Sequence, residues 1–241
     1  MAKEHKWGMV IDIDRCIGCQ ACVVACQSEN NVPINEEKDF LSRRAKQWIR
    51  IDRYWEGEWP NIKARFLPVL CQHCENAPCE PVCPVYATYH NNQGLNVQVY
   101  NRCIGTRFCA NNCPYHVRYF NFWEPEWPDS LKNQLNPDVT IRSRGIMEKC
   151  TFCIQRIRRV SKNSESGENV TERDLNPACT NACATDALVF GNLNDPESKV
   201  SKARSKGEKR SYKMLEELGT EPNVIYLKKV EKGTKQENNV H

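Results

Sequence analysis

Cysteine is where chemistry could reside in this chain: there are fifteen among 241 residues. Four of them, Cys16, Cys19, Cys22 and Cys26, follow one another as C-x2-C-x2-C-x3-C. Thiolates are soft metal ligands, and two-residue gaps let a short loop point three sulfurs into one small volume. Gly18, between the first two, suits a tight bend because glycine accepts φ > 0 and a close approach. The run returns. Eighty-seven residues on stand Cys103, Thr106, Cys109 and Cys113, within Arg102-Cys103-Ile104-Gly105-Thr106. A repeat of this kind organises the reading of the whole chain, and one of its eight cysteine positions has become threonine.

Two further runs complete the set. Cys71, Cys74, Cys79 and Cys83 form C-x2-C-x4-C-x3-C followed by Pro84, and Pro114 likewise follows Cys113. A proline there ends the local helix and turns the chain away. The last run is split: 25 residues separate Cys150 and Cys153 from Cys179 and Cys183. The first run has the spacing of bacterial two-cluster ferredoxins, in which three thiolates hold one iron–sulfur cluster and the fourth reaches another. A disulfide framework is the first alternative, but the number of cysteines is odd and no N-terminal apolar signal segment is visible. Structural zinc is the second. It commonly takes two separated C-x2-C pairs, whereas triplets at three-residue intervals suit clusters better.

The elements that must position these sulfurs are short. Trp7 to Asp14 alternates apolar and polar residues and is expected to be a strand feeding the first cysteine loop, with a short helix over Cys22 to Gln27 behind it. Residues 37–60 read as an insertion packing over the clusters, with a basic amphipathic piece from Phe40 to Ile51 and an aromatic turn from Tyr54 to Pro60. Leu95 to Tyr100 alternates as a strand into the third run, and Ala187 to Phe190 closes the fourth. Tyr119 to Pro128 is densely aromatic; it either covers the neighbouring cluster half or forms part of a docking face, where aromatic anchors are enriched. Asp129 to Ser143 reads as a surface loop, and Arg156, Arg158 and Arg159 as a solvated basic face. From Asn194 the chain is charged, with one helical piece near Ser211 to Leu218, and reads as a C-terminal arm laid along a partner or partly disordered. The four runs thus occupy 7–36, 61–93, 94–123 and 144–193, with the insertion 37–60, a loop 124–143 and the arm 194–241.

The formal charge is +4, and Lys and Arg are spread along the chain without the pattern of a nucleic-acid binder. Four clusters at about −2 each with their cysteines would bring the loaded protein to about −4. The apolar runs are too short to span a bilayer, so membrane contact is expected only through a partner. No catalytic constellation emerges. His73, inside Cys71-Gln72-His73-Cys74, and His116, after Cys113-Pro114-Tyr115, could tune a cluster by hydrogen bonding, though a packed or surface role suits each better. The cysteines already fill the sites, which leaves no place for a histidine ligand of the Rieske type.

The four runs resemble those of the iron–sulfur electron-transfer subunits of complex iron–sulfur molybdoenzymes, such as polysulfide, dimethyl sulfoxide and nitrate reductases. Several stretches are more narrowly similar to the iron–sulfur module of alternative complex III and to the separate iron–sulfur subunit of the quinone reductase complex of sulfate reducers. These are Asn136 to Thr140, Arg142 to Cys150, Leu215 to Leu218 and the Cys103-Ile104-Gly105-Thr106-Arg107-Phe108-Cys109 loop. Ala184 follows Cys183 where that family usually has proline.

The resemblance implies an α+β fold of two bacterial two-cluster ferredoxin-like units, the first run paired with the fourth and the second with the third, with loop-rich insertions. It implies one ligand set of Cys16, Cys19, Cys22 and Cys183, and a second of Cys26, Cys150, Cys153 and Cys179. A third is Cys71, Cys74, Cys79 and Cys113. The fourth keeps only Cys83, Cys103 and Cys109, with Thr106 a non-ligand at the missing corner. A hydroxyl replaces a soft thiolate poorly, so one [3Fe-4S] cluster is expected beside three [4Fe-4S] clusters. The alternative there is a [4Fe-4S] cluster with water or the Thr106 oxygen as fourth ligand. The chain would then be a non-catalytic wire in a quinone oxidoreductase complex or, alternatively, the electron-transfer subunit of a catalytic molybdopterin oxidoreductase. Implied partners are a molybdopterin-oxidoreductase-like large subunit, an integral membrane quinone-binding subunit and a multihaem cytochrome c. The implied place is the periplasmic face of the membrane, with the cytoplasmic face as alternative; Arg43-Arg44 lies too far from the start to be a twin-arginine signal.

Overall fold

The computed structural model describes residues 5–166 and 171–230. Strand β1 (Trp7–Asp12) leads into the first cysteine run, and α1 (Ala21–Glu29) carries Cys22 and Cys26 one turn apart on its buried face. A short α2 (Glu37–Leu41) is opened by a capping box between Glu36 and Asp39. β2 (Ile49–Glu56) and β3 (Lys63–Leu70) make an antiparallel hairpin, buried at the Ile49↔Leu70 end and exposed beyond Tyr54. β4 (Thr88–His90) follows the second run and pairs with β5 (Asn96–Gln98), which leads into the third; α3 (Phe108–Asn111) lies inside the third. β6 (Tyr119–Phe120) follows the third run and pairs with β7 (Met147–Glu148), which precedes the fourth, with α4 (Asp129–Lys132) between them. Helices α5 (Ile154–Glu165), α6 (Glu172–Leu175) and α7 (Ala178–Asn181) lie within the split run. β8 (Leu188–Asn192), α8 (Lys199–Lys206), β9 (Ser211–Tyr212) and β10 (Val224–Leu227) follow it.

The largest sheet has the order β8-β1-β10-β9. β1 is buried along nearly its whole length, as a strand covered on both faces must be. Met9 sits opposite Phe190 across an antiparallel ladder and opposite Val224 across a parallel one. Strand pairing therefore does the positioning. The β1–β8 ladder holds the start of the first run against the end of the fourth, and the β4–β5 hairpin holds the end of the second against the start of the third. Met9, Ile11 and Tyr226 of the sheet join Trp48, Leu70, Leu95 and Phe152 in one apolar cluster that also takes in buried cysteines of all four runs. Burying each such side chain contributes roughly 1.5–3 kcal/mol, which holds the thiol-bearing loops to a common core.

Three segments differ from their sequence reading. The C-terminal arm is part of the core up to Leu227: β10 is buried throughout and lies between β1 and β9, and the Tyr226 hydroxyl donates to Pro68 O at 2.9 Å. Four apolar residues between charged neighbours are too few to lift the average of a polar segment. Within it, Ser211 to Leu218 is β9 and a 3-10 turn rather than a helix. Phe40 to Ile51 is not one amphipathic piece, since α2 ends at Leu41 and Ile49 already belongs to β2. The Asp129 to Ser143 loop contains α4 and ends on Arg142, whose Nε donates to Glu148 at 2.6 Å with both side chains 1% exposed. Residues 231–241, the end of the expected arm, and 167–170, within the polar stretch of the split run, lie outside the described residues.

Candidate iron–sulfur centres

The repeat seen in the cysteines is also a repeat of backbone conformation. Gly18 and Gly105, 87 residues apart, both adopt φ +72°, and Gln20 and Arg107 follow at φ 61° and 64° as the residues that open α1 and α3. A Cβ on Gly18 would meet Phe66 Cδ1 at 2.4 Å, and one on Gly105 would meet Gly145 O at 2.2 Å. Glycine is thus demanded by both φ and space, with a ring and a carbonyl as the close neighbours. Three residues after Cys83, Cys113 and Cys183 the chain turns through φ 49° to 51°, at Tyr86, His116 and Asp186. One residue further, the Ala87 and Ala187 N–H groups donate to Cys83 Sγ and Cys183 Sγ, each at 3.2 Å. The N–H of Val117 faces Cys113 in the same way.

All fifteen cysteines are free of disulfides, and they fall into four groups. Cys16, Cys19, Cys22 and Cys183 line the first site together with Ile51, Pro68 and Leu188. Cys26, Cys150, Cys153 and Cys179 make the second, all buried, with the last three within electrostatic reach of Cys26. Asn30 Nδ2 stands 3.5 Å from Cys26 Sγ and 3.6 Å from Cys153 Sγ. Cys71, Cys74, Cys79 and Cys113 line the third, with Arg118 at its wall. Cys83, Cys103 and Cys109 line the fourth, together with Thr106 and Arg107. Thr106 is exposed, as is Cys19 at the equivalent place in the first run, so the corner without a thiol faces outward.

The sites adjoin one another in series. Cys179 of the second feels the charge of Cys22 of the first, Cys150 that of Cys71 of the third, and Cys109 of the fourth that of Cys79. Between the second and third sites His73 stacks on Phe152, ring centroids 4.0 Å apart, the two residues occupying matching places in Cys71-x2-Cys74 and Cys150-x2-Cys153. Burial, with Lys149 beside it, pushes His73 well below its ordinary pKa, so the ring is neutral. His116 is exposed.

Electrostatics give the test of what these groups can hold. Burial, and then the neighbouring cysteines Cys16, Cys183 and Cys19, pushes Cys22 up to about 12. Burial and Cys71 push Cys74 to about 12, and the same two causes bring Cys150 to about 12. Thiols crowded this way resist ionising alone but become thiolates outright when a metal supplies the positive charge. The N–H donors aimed at sulfur, including Met147 N to Cys103 Sγ at 3.4 Å and Phe152 N to Cys150 Sγ at 3.4 Å, favour that anionic form. Among the described residues no three His, Cys, Asp or Glu side chains close on a point as a single ion requires. The sulfurs instead line the sites in groups, and an all-thiol donor set of this kind fits iron–sulfur clusters.

Sequence reasoning missed the polar groups around the sulfurs. Asn30, Asn96 and Arg118 carried no motif; the N–H donors could have been found from their fixed place four residues after a run's last cysteine. Of the three arginines read as a solvated face, Arg156 instead bonds Glu29 at 2.7 Å, tying α5 to α1, while Arg159 meets Asp138.

Residues 15–87 and 62–127 each match a family model described as a 4Fe-4S dicluster domain. The chain is an iron–sulfur protein built on ferredoxin-like dicluster domains, with mixed helix and small sheets. It is 42% identical over 233 residues to the menaquinone reductase iron–sulfur cluster-binding subunit of Nitratidesulfovibrio vulgaris, covering 94% of this chain and 90% of that one. It is 39% identical to a putative dimethyl sulfoxide reductase iron–sulfur subunit of Halobacterium salinarum, over 92% of this chain and 79% of the relative. Identity to the Hdr-like menaquinol oxidoreductase iron–sulfur subunit 1 of Archaeoglobus fulgidus is 38%, over 94% and 84%. The chain belongs to this family, the iron–sulfur electron-transfer subunits of molybdoenzyme and quinone oxidoreductase complexes.

Proposed function

We propose that the chain carries three [4Fe-4S] clusters and one [3Fe-4S] cluster and conducts single electrons between a redox partner and the quinone site of a membrane subunit. When bound, such clusters supply one-electron carriers whose potentials follow ligand number, hydrogen bonding and burial. The observation that carries the reading is the arrangement of all fifteen cysteines into four adjoining sites, three with four thiols and one with three. In it, Cys16, Cys19, Cys22 and Cys183 hold the first cluster, and Cys26, Cys150, Cys153 and Cys179 the second. Cys71, Cys74, Cys79 and Cys113 hold the third, while Cys83, Cys103 and Cys109 hold the three-iron cluster beside Thr106.

The ladders that bring the first run to the fourth and the second to the third support a pairing of the sites into two ferredoxin-like units. Asn30, the N–H donors and the buried walls orient the thiolates and exclude water, and the serial contacts give electrons one path from the first site to the fourth. Among the described residues no helix is long and apolar enough to cross a membrane. In this reading attachment runs through partners: an integral membrane quinone-binding subunit near the fourth site and a molybdopterin-oxidoreductase-like large subunit, on the periplasmic face. A multihaem cytochrome c is a further partner in this reading. The names of two relatives, a menaquinone reductase subunit and a menaquinol oxidoreductase subunit, favour the quinone complex. The dimethyl sulfoxide and arsenate reductase relatives favour a catalytic molybdoenzyme as the second reading, and molybdenum analysis of the purified complex separates the two.

Replacing Cys83, Cys103 or Cys109 by Ala should stop quinone-linked turnover while the clusters of the first and second sites remain reducible by dithionite. Normal turnover in any of these variants contradicts the assignment.

A further inference from the structure

Arg118 is a buried cation that donates to a cysteine sulfur. It lies beyond Cys113 and Pro114, is 7% exposed, and reaches into the junction of the third and fourth sites. Its Nη1 donates to Gln98 Oε1 at 2.9 Å, and its Nη2 to Thr88 Oγ1 at 2.7 Å, Asn96 Oδ1 at 2.8 Å and Cys79 Sγ at 3.0 Å. Three of these acceptors are neutral oxygens, and Cys109 of the fourth site also faces the guanidinium. Glu80, one bond further on, is engaged by Asn96 Nδ2 and by His90 Nδ1. A guanidinium cannot shed its proton in a protein, and a buried charge without an opposite charge is strongly unfavourable. The groups positioned to balance it are the sulfurs of two sites: Cys79, Cys71 and Cys113 of the third and Cys109 of the fourth.

We propose that Arg118 is the fixed positive charge that raises the reduction potentials of the third and fourth sites above those of the first and second. This rests on the cluster assignments given under the proposed function. Adding an electron to a site adds negative charge, and a cation held at hydrogen-bond distance from a ligand sulfur favours that reduced state. The effect is local because the surroundings are dry: burial removes the water that would otherwise screen the charge. Thr88, Asn96 and Gln98 are positioning residues. They take up the fork of the guanidinium and hold it against Cys79 from β4 and β5, the hairpin that joins the second run to the third. Cations also lie near the first and second sites, Lys229 toward Cys16, Lys149 beside Cys150 and Arg156 toward Cys153 and Cys179, but Lys149 donates to the carbonyls of Asn96 and Cys150 and Arg156 is paired with Glu29. Asn30, the side chain seen reaching sulfur in the second site, is neutral.

The test is an EPR-monitored redox titration of the full chain in its complex, purified anaerobically, as wild type, Arg118→Gln and Arg118→Lys. Iron and acid-labile sulfide are measured on each sample first. If the wild type lacks the four clusters, the assignments fall and this inference with them; if it holds them, the variants judge Arg118 alone. Arg118→Gln should lower the third-site potential by at least a tenfold change in the one-electron equilibrium, about 59 mV. The fourth should move less in the same direction, and the first and second should stay in place. Arg118→Lys keeps the charge and should leave all four within that limit. Three results overturn the proposal: an unshifted Arg118→Gln, a shift shared equally by all four sites, or an Arg118→Lys that falls by tenfold or more. The last decides the matter even where the glutamine variant fails to assemble.

Discussion

Two positions let the account be tested at single side chains. Thr106 occupies the place that Cys19 holds in the first run, with a preceding glycine at the same φ of +72°, so the loop is already shaped for a thiol. Thr106→Cys should therefore convert the fourth site to four irons, seen as loss of the oxidised three-iron EPR signal and a gain of about one iron per chain. The buried Arg142–Glu148 pair is structural. Arg142 also donates to the carbonyls of Asn30, Asn31 and Thr140, fastening the loop before β7 to the end of α1. Glu148→Gln strips the countercharge from a side chain 1% exposed and should cost about 3–5 kcal/mol, read as a lower urea midpoint at unchanged iron content. The cysteines were legible in the sequence as candidate ligands because thiol chemistry imposes spacing. Arg142, Glu148 and Arg118 were not, because nothing local distinguishes an arginine that crosses the core from one in solvent.

Among elements, β10 and the polar link between α1 and α5 can each be tested by one substitution. Tyr226 is fully buried, and its hydroxyl lies between Gln72 Nε2 and Pro68 O. Tyr226→Ala should destabilise the protein by about 3–5 kcal/mol, measured by urea unfolding; an arm laid over the surface would lose almost nothing. The α1–α5 contact is pH-sensitive. Burial works to raise the Glu29 carboxyl, but the hydrogen bonds from Arg156 and Gln155 outweigh it and hold it below its ordinary 4.5. A depressed acid contributes stability above the unfolded-state value and loses it as pH falls through the folded one. Glu29→Gln should accordingly cost about 1 kcal/mol near neutral pH and flatten the loss of stability below pH 4.5. β1 and β8 could be read from the sequence as short apolar runs beside cysteines. β10 could not, because one partner strand, β1, is more than two hundred residues away, the other, β9, is two residues long, and its own four residues sit in a charged tail.

For the whole molecule, the cysteine repeat leads to the expectation of four centres, and the fold shows how a loop-rich chain gathers its thiols around adjoining sites. Short ladders clamp the ends of the runs together, and a shared apolar core fixes one site against the next. What spacing could not convey is the order of the sites, since that depends on ladders closed across the full length of the chain. The central claim is that fifteen thiols hold three complete clusters and one incomplete one. It is tested most directly by counting iron and acid-labile sulfide per chain in anaerobically purified protein, alongside EPR of the oxidised state. The account predicts about fifteen irons and about sixteen sulfides with a three-iron signal of about one spin per chain. Zinc in place of iron, or a sulfide content near zero, would contradict it.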